Sequence, residues 1–257
     1  MTHRSIARAW HGWQVWIIAL ALAMLLSACS PTLSNTSQHT NSASDETQAT
    51  RTAQPAKTPV FSKPVIYVAL GASDAVGLGS DVPGAQGYVP LISERLPKGS
   101  HMLDLGISGI HLHEALSEEL PLALSTSPDL VTVWLVANDF IGGVSYSNYM
   151  QDLTTMLAQL QSRTHARVYM ADLPDLTRLP AFADQTAQQK AQMLSGIQRW
   201  NAGIAQQAAR YHVTLVDLFS QGSTLTAHPE YISGDGFHPS PAGYVQLANL
   251  FWRAITG

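Results

Sequence analysis

A serine, a histidine and an aspartate held in the right relation can break an ester, and this 257-residue chain carries a candidate set. Ser73 lies in Gly71-Ala72-Ser73-Asp74, directly after a short apolar run. Asp235 and His238 stand far along the chain, in Asp235-Gly236-Phe237-His238-Pro239. A serine hydroxyl is a weak nucleophile until a neighbouring base takes its proton. His238 is the candidate base. Asp235, three residues earlier, is close enough in a tight turn to accept the imidazole Nδ1–H and fix the tautomer. The attacked carbonyl becomes an oxyanion and needs donors set in place beforehand. Two further blocks offer them, Gly106-Ile107-Ser108-Gly109 and Val136-Ala137-Asn138-Asp139. The backbone N–H groups of Ser73 and Gly109 and the side-chain amide of Asn138 can supply three. This chemistry requires no metal and no cofactor.

Each block alone has a plainer use: a serine after a strand is commonly a helix cap, and Asn-Asp a turn. Their order along one chain says more. It resembles the SGNH hydrolases, also called the GDSL esterase/lipase family, over the whole of residues 63–257. Carried over residue by residue, Ser73 matches the nucleophile, Gly109 the glycine of the second block and Asn138 the asparagine of the third. Asp235 and His238 match the Asp-x-x-His of the last block, the most specific of the four. The resemblance implies catalysis by Ser73, Asp235 and His238, an oxyanion hole of Ser73, Gly109 and Asn138, and ester hydrolysis through an acyl-enzyme. Four positions depart from the usual pattern. Ala72 and Asp74 flank the serine where the family reads Gly-Asp-Ser-Leu, Val136 replaces a glycine, and Asp104 stands where Asn is frequent. An α/β-hydrolase is the competing enzyme fold, because Gly71-Ala72-Ser73 half-mimics its nucleophile elbow. Against it, the serine follows the first strand and the acid sits only three residues before the histidine.

The elements that must position these residues alternate. Residues 65–70, 101–105, 130–136, 167–171 and 213–217 are short apolar, β-branched runs and predict strands. Residues 86–96, 111–124, 146–162, 186–211 and 241–255 have helical spacing. Strands alternating with helices predict an α/β fold, a single three-layer α/β/α domain with a five-stranded, mainly parallel sheet. The site would then lie where the strands run out into loops. Phe140, Phe182, Tyr231 and Phe237 fall near those loops and could line an acyl pocket, Trp134 reads as core, and the segment 172–180 is a long loop suited to substrate selection. His111, His113 and Glu114 suggest a metal cluster, but an i, i+2 pair points to different sides of a helix. His101, His165, His212 and His228 read as surface or loop residues.

Residues 1–28 read as an address. Arg4 and Arg8 precede an unbroken run of apolar residues, 15–26, too short for a spanning helix of about 20 residues and suited to a secretory signal. Leu26-Ser27-Ala28-Cys29 resembles the bacterial lipobox, which implies lipidation of Cys29, the only cysteine. That single cysteine also excludes a disulfide framework. Residues 29–62, rich in Ser, Thr, Gln and Pro, have too little apolar surface to fold and read as a flexible tether. The expected location is extracytoplasmic, on a bacterial membrane. The net charge of −4 excludes the basic excess of a nucleic-acid binder. The expected partners are a small-molecule, lipid or acetylated-glycan ester and, through Cys29, a membrane; oligomeric state is open. A non-catalytic surface lipoprotein that binds glycans or envelope partners is the alternative reading, and a two-lobed solute-binding lipoprotein a poorer one.

Overall fold

The computed structural model describes residues 60–257; the expected signal segment, Cys29 and the tether up to residue 59 lie outside them. Five strands, β1 (Ile66–Gly71), β2 (His101–Asp104), β3 (Leu130–Trp134), β4 (Arg167–Ala171) and β5 (Thr214–Val216), form one sheet in the order β2-β1-β3-β4-β5. All four neighbouring pairs are parallel. The helices described are α1 (Ser73–Val76), α2 (Pro83–Gln86), α3 (Tyr88–Ser93), α4 (Leu112–Glu118), α5 (Leu120–Ser125), α6 (Ala137–Ile141), α7 (Tyr146–Arg163), α8 (Ala187–Arg210), α9 (Gly222–Ala227) and α10 (Pro241–Thr256). The fold is therefore the α/β architecture expected, with a sheet that is parallel throughout.

Helices on both faces explain why β1 and β3 read as continuous apolar runs rather than alternating ones. Tyr67, Val68, Ala69, Leu70, Leu130 and Val131 are all fully buried. α3 and α10 pack on one another through the stacked rings of Tyr88 and Phe251, 5.1 Å apart. α4, α7 and α8 pack in series, with Tyr149 of α7 stacked on Trp200 of α8. Each fully buried large apolar side chain contributes about 1.5–3 kcal/mol relative to exposure. Capping fixes where the long helices begin. Ser145 Oγ accepts from Asn148 N, and Thr186 and Gln189 form a reciprocal capping box.

One expected helix is broken and another shortened, each at an identifiable residue. The stretch expected over 111–124 splits at Glu119, because Pro121 lacks an N–H and its ring clashes with the preceding turn. The stretch expected over 86–96 forms a helix only over 88–93, α3, which the extended Gly87 separates from α2. The break at Glu119 has a use: its buried carboxyl reaches under β1 and accepts from the Gly71 N–H at 3.0 Å.

Burial pushes the Glu119 carboxyl up to about 8 and that of Asp172 up to about 7. For a carboxyl whose folded pKa exceeds its unfolded value, folding takes up a proton, so its contribution to stability is greatest in acid and is lost as pH rises through the folded pKa. We expect the melting temperature to be highest near pH 5 and to fall toward pH 8. Glu119→Gln, a permanently neutral replacement that can still accept from Gly71, should flatten this dependence. Parallel Tm-against-pH curves for the two proteins would refute the assignment to Glu119.

Candidate active site

The strand order reverses direction between β1 and β3, and in open parallel sheets ligands bind in the crevice at such a switch point, beyond the carboxyl ends of the strands. Ser73 begins α1 two residues after β1 ends, and Asn138 lies in α6 just after β3. Gly109 follows β2, and Asp235 and His238 come from the loop before α10. Topology thus delivers the five residues to the same end of the sheet.

The loop carrying Asp235 and His238 is closed on itself. Ile232 and Pro239 form an antiparallel bridge, and Ser233 N donates to His238 O at 2.8 Å. The turn between them requires a left-handed residue, supplied by Gly236 with φ +76°. Ser240 then caps α10 by accepting from Gly243 N, with Pro241 at the first helical turn, so helix and loop are aligned together.

Within this loop Asp235 is fully engaged. Its Oδ1 accepts from Ser233 Oγ at 2.8 Å, Phe237 N at 2.8 Å and His238 N at 2.9 Å. Its Oδ2 lies 2.6 Å from His238 Nδ1. Burial works to raise the Asp235 carboxyl, but the hydrogen bonds from His238, Phe237 and Ser233 outweigh it and hold the group well below the ordinary carboxylate range. An ionised carboxylate only accepts, so Nδ1 carries the proton and Nε2 is left with its lone pair. His238 Nε2 lies 2.9 Å from Ser73 Oγ, and the hydroxyl donates to it. Ser73 is buried and His238 nearly so, with 14% of its side chain exposed, while Asp235 remains 44% exposed. The arrangement can take a proton from Ser73 without a second base.

The three expected donors are available in different ways. Among the described residues, neither the Ser73 N–H nor the Gly109 N–H meets a protein acceptor. Gly109 has φ +82° with open space where a Cβ would stand, so backbone conformation rather than crowding demands glycine there. Asn138 Nδ2 donates one hydrogen to Ile110 O at 2.9 Å, which fixes the amide and leaves its second hydrogen free. Next to it, Asp139 is buried and accepts from Leu112 N at 3.0 Å, tying α6 to the start of α4.

A largely apolar cavity opens next to the chain neighbours of these residues, Asp74, Ala137, Phe237 and Pro239. α10 contributes Gly243, Leu247, Leu250 and Arg253, three or four residues apart and therefore one stripe of the helix, about 15 Å long at roughly 1.5 Å per residue. The facing wall is Pro174, Leu176 and Leu179 from the segment after β4, with Leu218 and Leu225 after β5. Of the aromatics expected near the site, Tyr231 and Phe237 line this cavity and Phe182 packs on Phe237. Phe140 instead packs edge-on against Trp200. Trp134 is buried as expected and also reaches the cavity wall, while its Nε1 donates to Asp172 O. His111 caps α4 with Glu114, and His113 pairs with Asp152. No group of three or more metal-ligating side chains occurs among the described residues. Ser233, which sequence reasoning missed, holds Asp235; a serine two residues before an aspartate carries no signal of its own.

Known proteins share this fold. No curated protein matches the chain. Among solved structures, one described as TesA shares 24% identity over 74% of this chain and 97% of its own, with a TM-score of 0.59. A phospholipase A1 from Streptomyces albidoflavus NA297 shares 17% identity over 75% of this chain and 100% of its own, TM-score 0.60. An acetyl xylan esterase, AlAXEase, shares 17% over 73% and 98%, TM-score 0.59. These likenesses concern the fold. The model of the GDSL-like lipase/acylhydrolase family matches residues 69–246, which include Ser73, Gly109, Asn138, Asp235 and His238, and the chain is therefore a serine ester hydrolase belonging to that family.

Proposed function

We propose that the chain cleaves carboxylic esters through an acyl-enzyme on Ser73, and the observation that carries this is the continuous relay Asp235–His238–Ser73 at 2.6 and 2.9 Å. His238 Nε2 takes the Ser73 proton as Oγ attacks the carbonyl carbon. Asp235 holds the imidazole in the required tautomer and stabilises the imidazolium that forms. The oxyanion is received by Ser73 N–H, Gly109 N–H and the free hydrogen of Asn138 Nδ2. His238 then protonates the departing alkoxide. Water, deprotonated by the same imidazole, attacks the acyl-enzyme and releases the acid and free Ser73. The substrates are small-molecule or lipid esters, acetylated glycans included. The test is hydrolysis of p-nitrophenyl acetate and its longer homologues by the full chain, with fluorophosphonate labelling of Ser73. A folded protein that neither turns over these esters nor is labelled would favour a binding role instead.

Asn138→Ala should lower kcat about 10²–10³-fold with little change in KM, because the donor acts on charge that develops in the transition state. The Asn138–Ile110 bond is lost as well, so a melting curve should accompany the kinetics. A rise in KM at constant kcat would remove Asn138 from the oxyanion hole.

The same proposal places the enzyme outside the cytoplasm, with residues 1–28 cleaved, Cys29 lipidated and residues 29–62 as a tether to a bacterial membrane. The support is the apolar run of 15–26 ending at Leu26-Ser27-Ala28-Cys29. Two or more acyl chains hold a protein stably on a bilayer, and one holds it only marginally. Cys29→Ala should move the protein from the membrane fraction to the soluble one; unchanged sedimentation would refute the anchor.

A further inference from the structure

The residue after the nucleophile is the one carboxylate lining a largely apolar cavity, whose other polar side chains include Gln221, Thr224, Gln246 and Arg253. Asp74 is 9% exposed and lines the cavity together with Trp134, Leu247 and Leu250. Among the described residues its carboxylate receives no hydrogen bond from another side chain or from another residue's backbone. Buried carboxyls elsewhere in this protein are held: Asp139 accepts from Leu112 N, Asp172 from Leu218 N and Phe219 N, Glu119 from Gly71 N. Asp74 is the exception, and it stands one residue from the reacting oxygen.

An acceptor in such a position needs a donor whenever the cavity is filled. The cavity holds about 120 Å³, room for several waters at a minimum of about 10–15 Å³ each, so the carboxylate can be hydrated before substrate arrives. A plain alkyl chain would displace that water and return no hydrogen bond, and the buried acceptor would bear the full desolvation cost. A chain bearing a hydroxyl would replace the bond it removes. The Asp74 carboxyl lies close enough to His238 and Asp235 to feel both charges, so the donor belongs within a few bonds of the carbonyl that Ser73 attacks. The acyl arm is the one that must remain seated after the alcohol has left, so a fitted cavity serves it best.

We propose that Asp74 selects esters whose acyl chain carries a hydrogen-bond donor, a hydroxyl near the third carbon, over unsubstituted chains of the same length. This rests on the reading of Ser73 as the nucleophile. Burial pushes the Asp74 carboxyl up to about 6, against the pull of His238 and with the push of Asp235; Tyr88 and Tyr244 are its other titratable neighbours. Its carboxylate form acts as an acceptor only.

The test compares p-nitrophenyl hexanoate with p-nitrophenyl 3-hydroxyhexanoate, each rate normalised to its alkaline hydrolysis. The wild-type full chain should prefer the hydroxy ester by about 10- to 100-fold in kcat/KM, a range a single buried charged acceptor supports. Asp74→Leu should reverse the preference, raising kcat/KM for the hexanoate. Asp74→Asn, whose amide oxygen still accepts, should keep most of it. A ratio within twofold in the wild type, or the same ratio in all three proteins, would overturn the proposal. So would a preference that follows a hydroxyl on the alcohol side. Calorimetric binding of both esters to the Ser73→Ala protein separates this from failure of catalysis. Preferential binding of the hydroxy ester without wild-type turnover would sink the esterase reading and leave the selectivity of Asp74 standing. Turnover without preference would sink the selectivity alone, and neither turnover nor binding would sink both.

Discussion

Ser73→Ala should lose on the order of 10³- to 10⁶-fold in kcat for any ester the wild type hydrolyses. The replacement deletes one oxygen whose hydrogen bond goes to His238 Nε2, and no other side chain in the described residues relies on it. Helix α1 keeps its backbone bonds, in which Ser73 O accepts from Gly77 N and Leu78 N. Its oxyanion N–H is retained as well. The loss should therefore appear in kcat with an unchanged melting temperature and with fluorophosphonate labelling abolished. A residual rate within tenfold of the wild type would mean that another nucleophile does the work, and the acyl-enzyme on Ser73 would have to be abandoned.

The second large effect is expected at Asp235→Asn, a fall of about 10⁴-fold in kcat. The amide keeps one oxygen, and that oxygen can still accept from Ser233 Oγ, Phe237 N and His238 N, so the loop should hold its shape. What changes is the atom facing His238 Nδ1, now an N–H₂ that donates. The imidazole proton is forced to Nε2, which then points a donor at Ser73 Oγ and cannot take its proton. Normal folding with a loss of less than tenfold would show that Asp235 fixes the loop and not the tautomer. Ser233→Ala offers a graded companion: it removes one of the four hydrogen bonds to the carboxylate and should cost far less than the amide.

Much of this was legible before any coordinates because the local signals were strong. The five strands were readable where β-branched runs end in glycine or a polar turn, and β4 falls at residues 167–171 as expected. The triad was readable because Asp235 and His238 lie three residues apart, a spacing that a tight turn converts directly into a hydrogen bond. The misplaced boundaries have local causes too. Pro121 splits one expected helix, Gly87 delays the start of another, and α6 and α9 are too short to show a period. Phe140 was expected near the site from its place two residues after Asn138, yet it packs on Trp200. A helix turns by about 100° per residue, and proximity in sequence does not say which face a ring takes.

What the sequence by itself determined is the set of parts: a parallel α/β sheet, a serine at the end of the first strand, an Asp-x-x-His before the last helix, and a glycine and an asparagine at the strand ends between. The sheet follows from the alternation of apolar and helical runs, and the site residues from the order of four blocks, which resembles that of the SGNH hydrolases. The tertiary structure alone decided that Ser73 and His238, 165 positions apart, meet at 2.9 Å. It also decided that Glu119 is buried beneath β1, that α10 and the segments after β4 and β5 enclose a largely apolar cavity, and that Asp74 faces that cavity without a partner. The reason is physical. Burial and contact between distant segments depend on strand order and helix packing summed over the whole domain, and no window of sequence contains that sum.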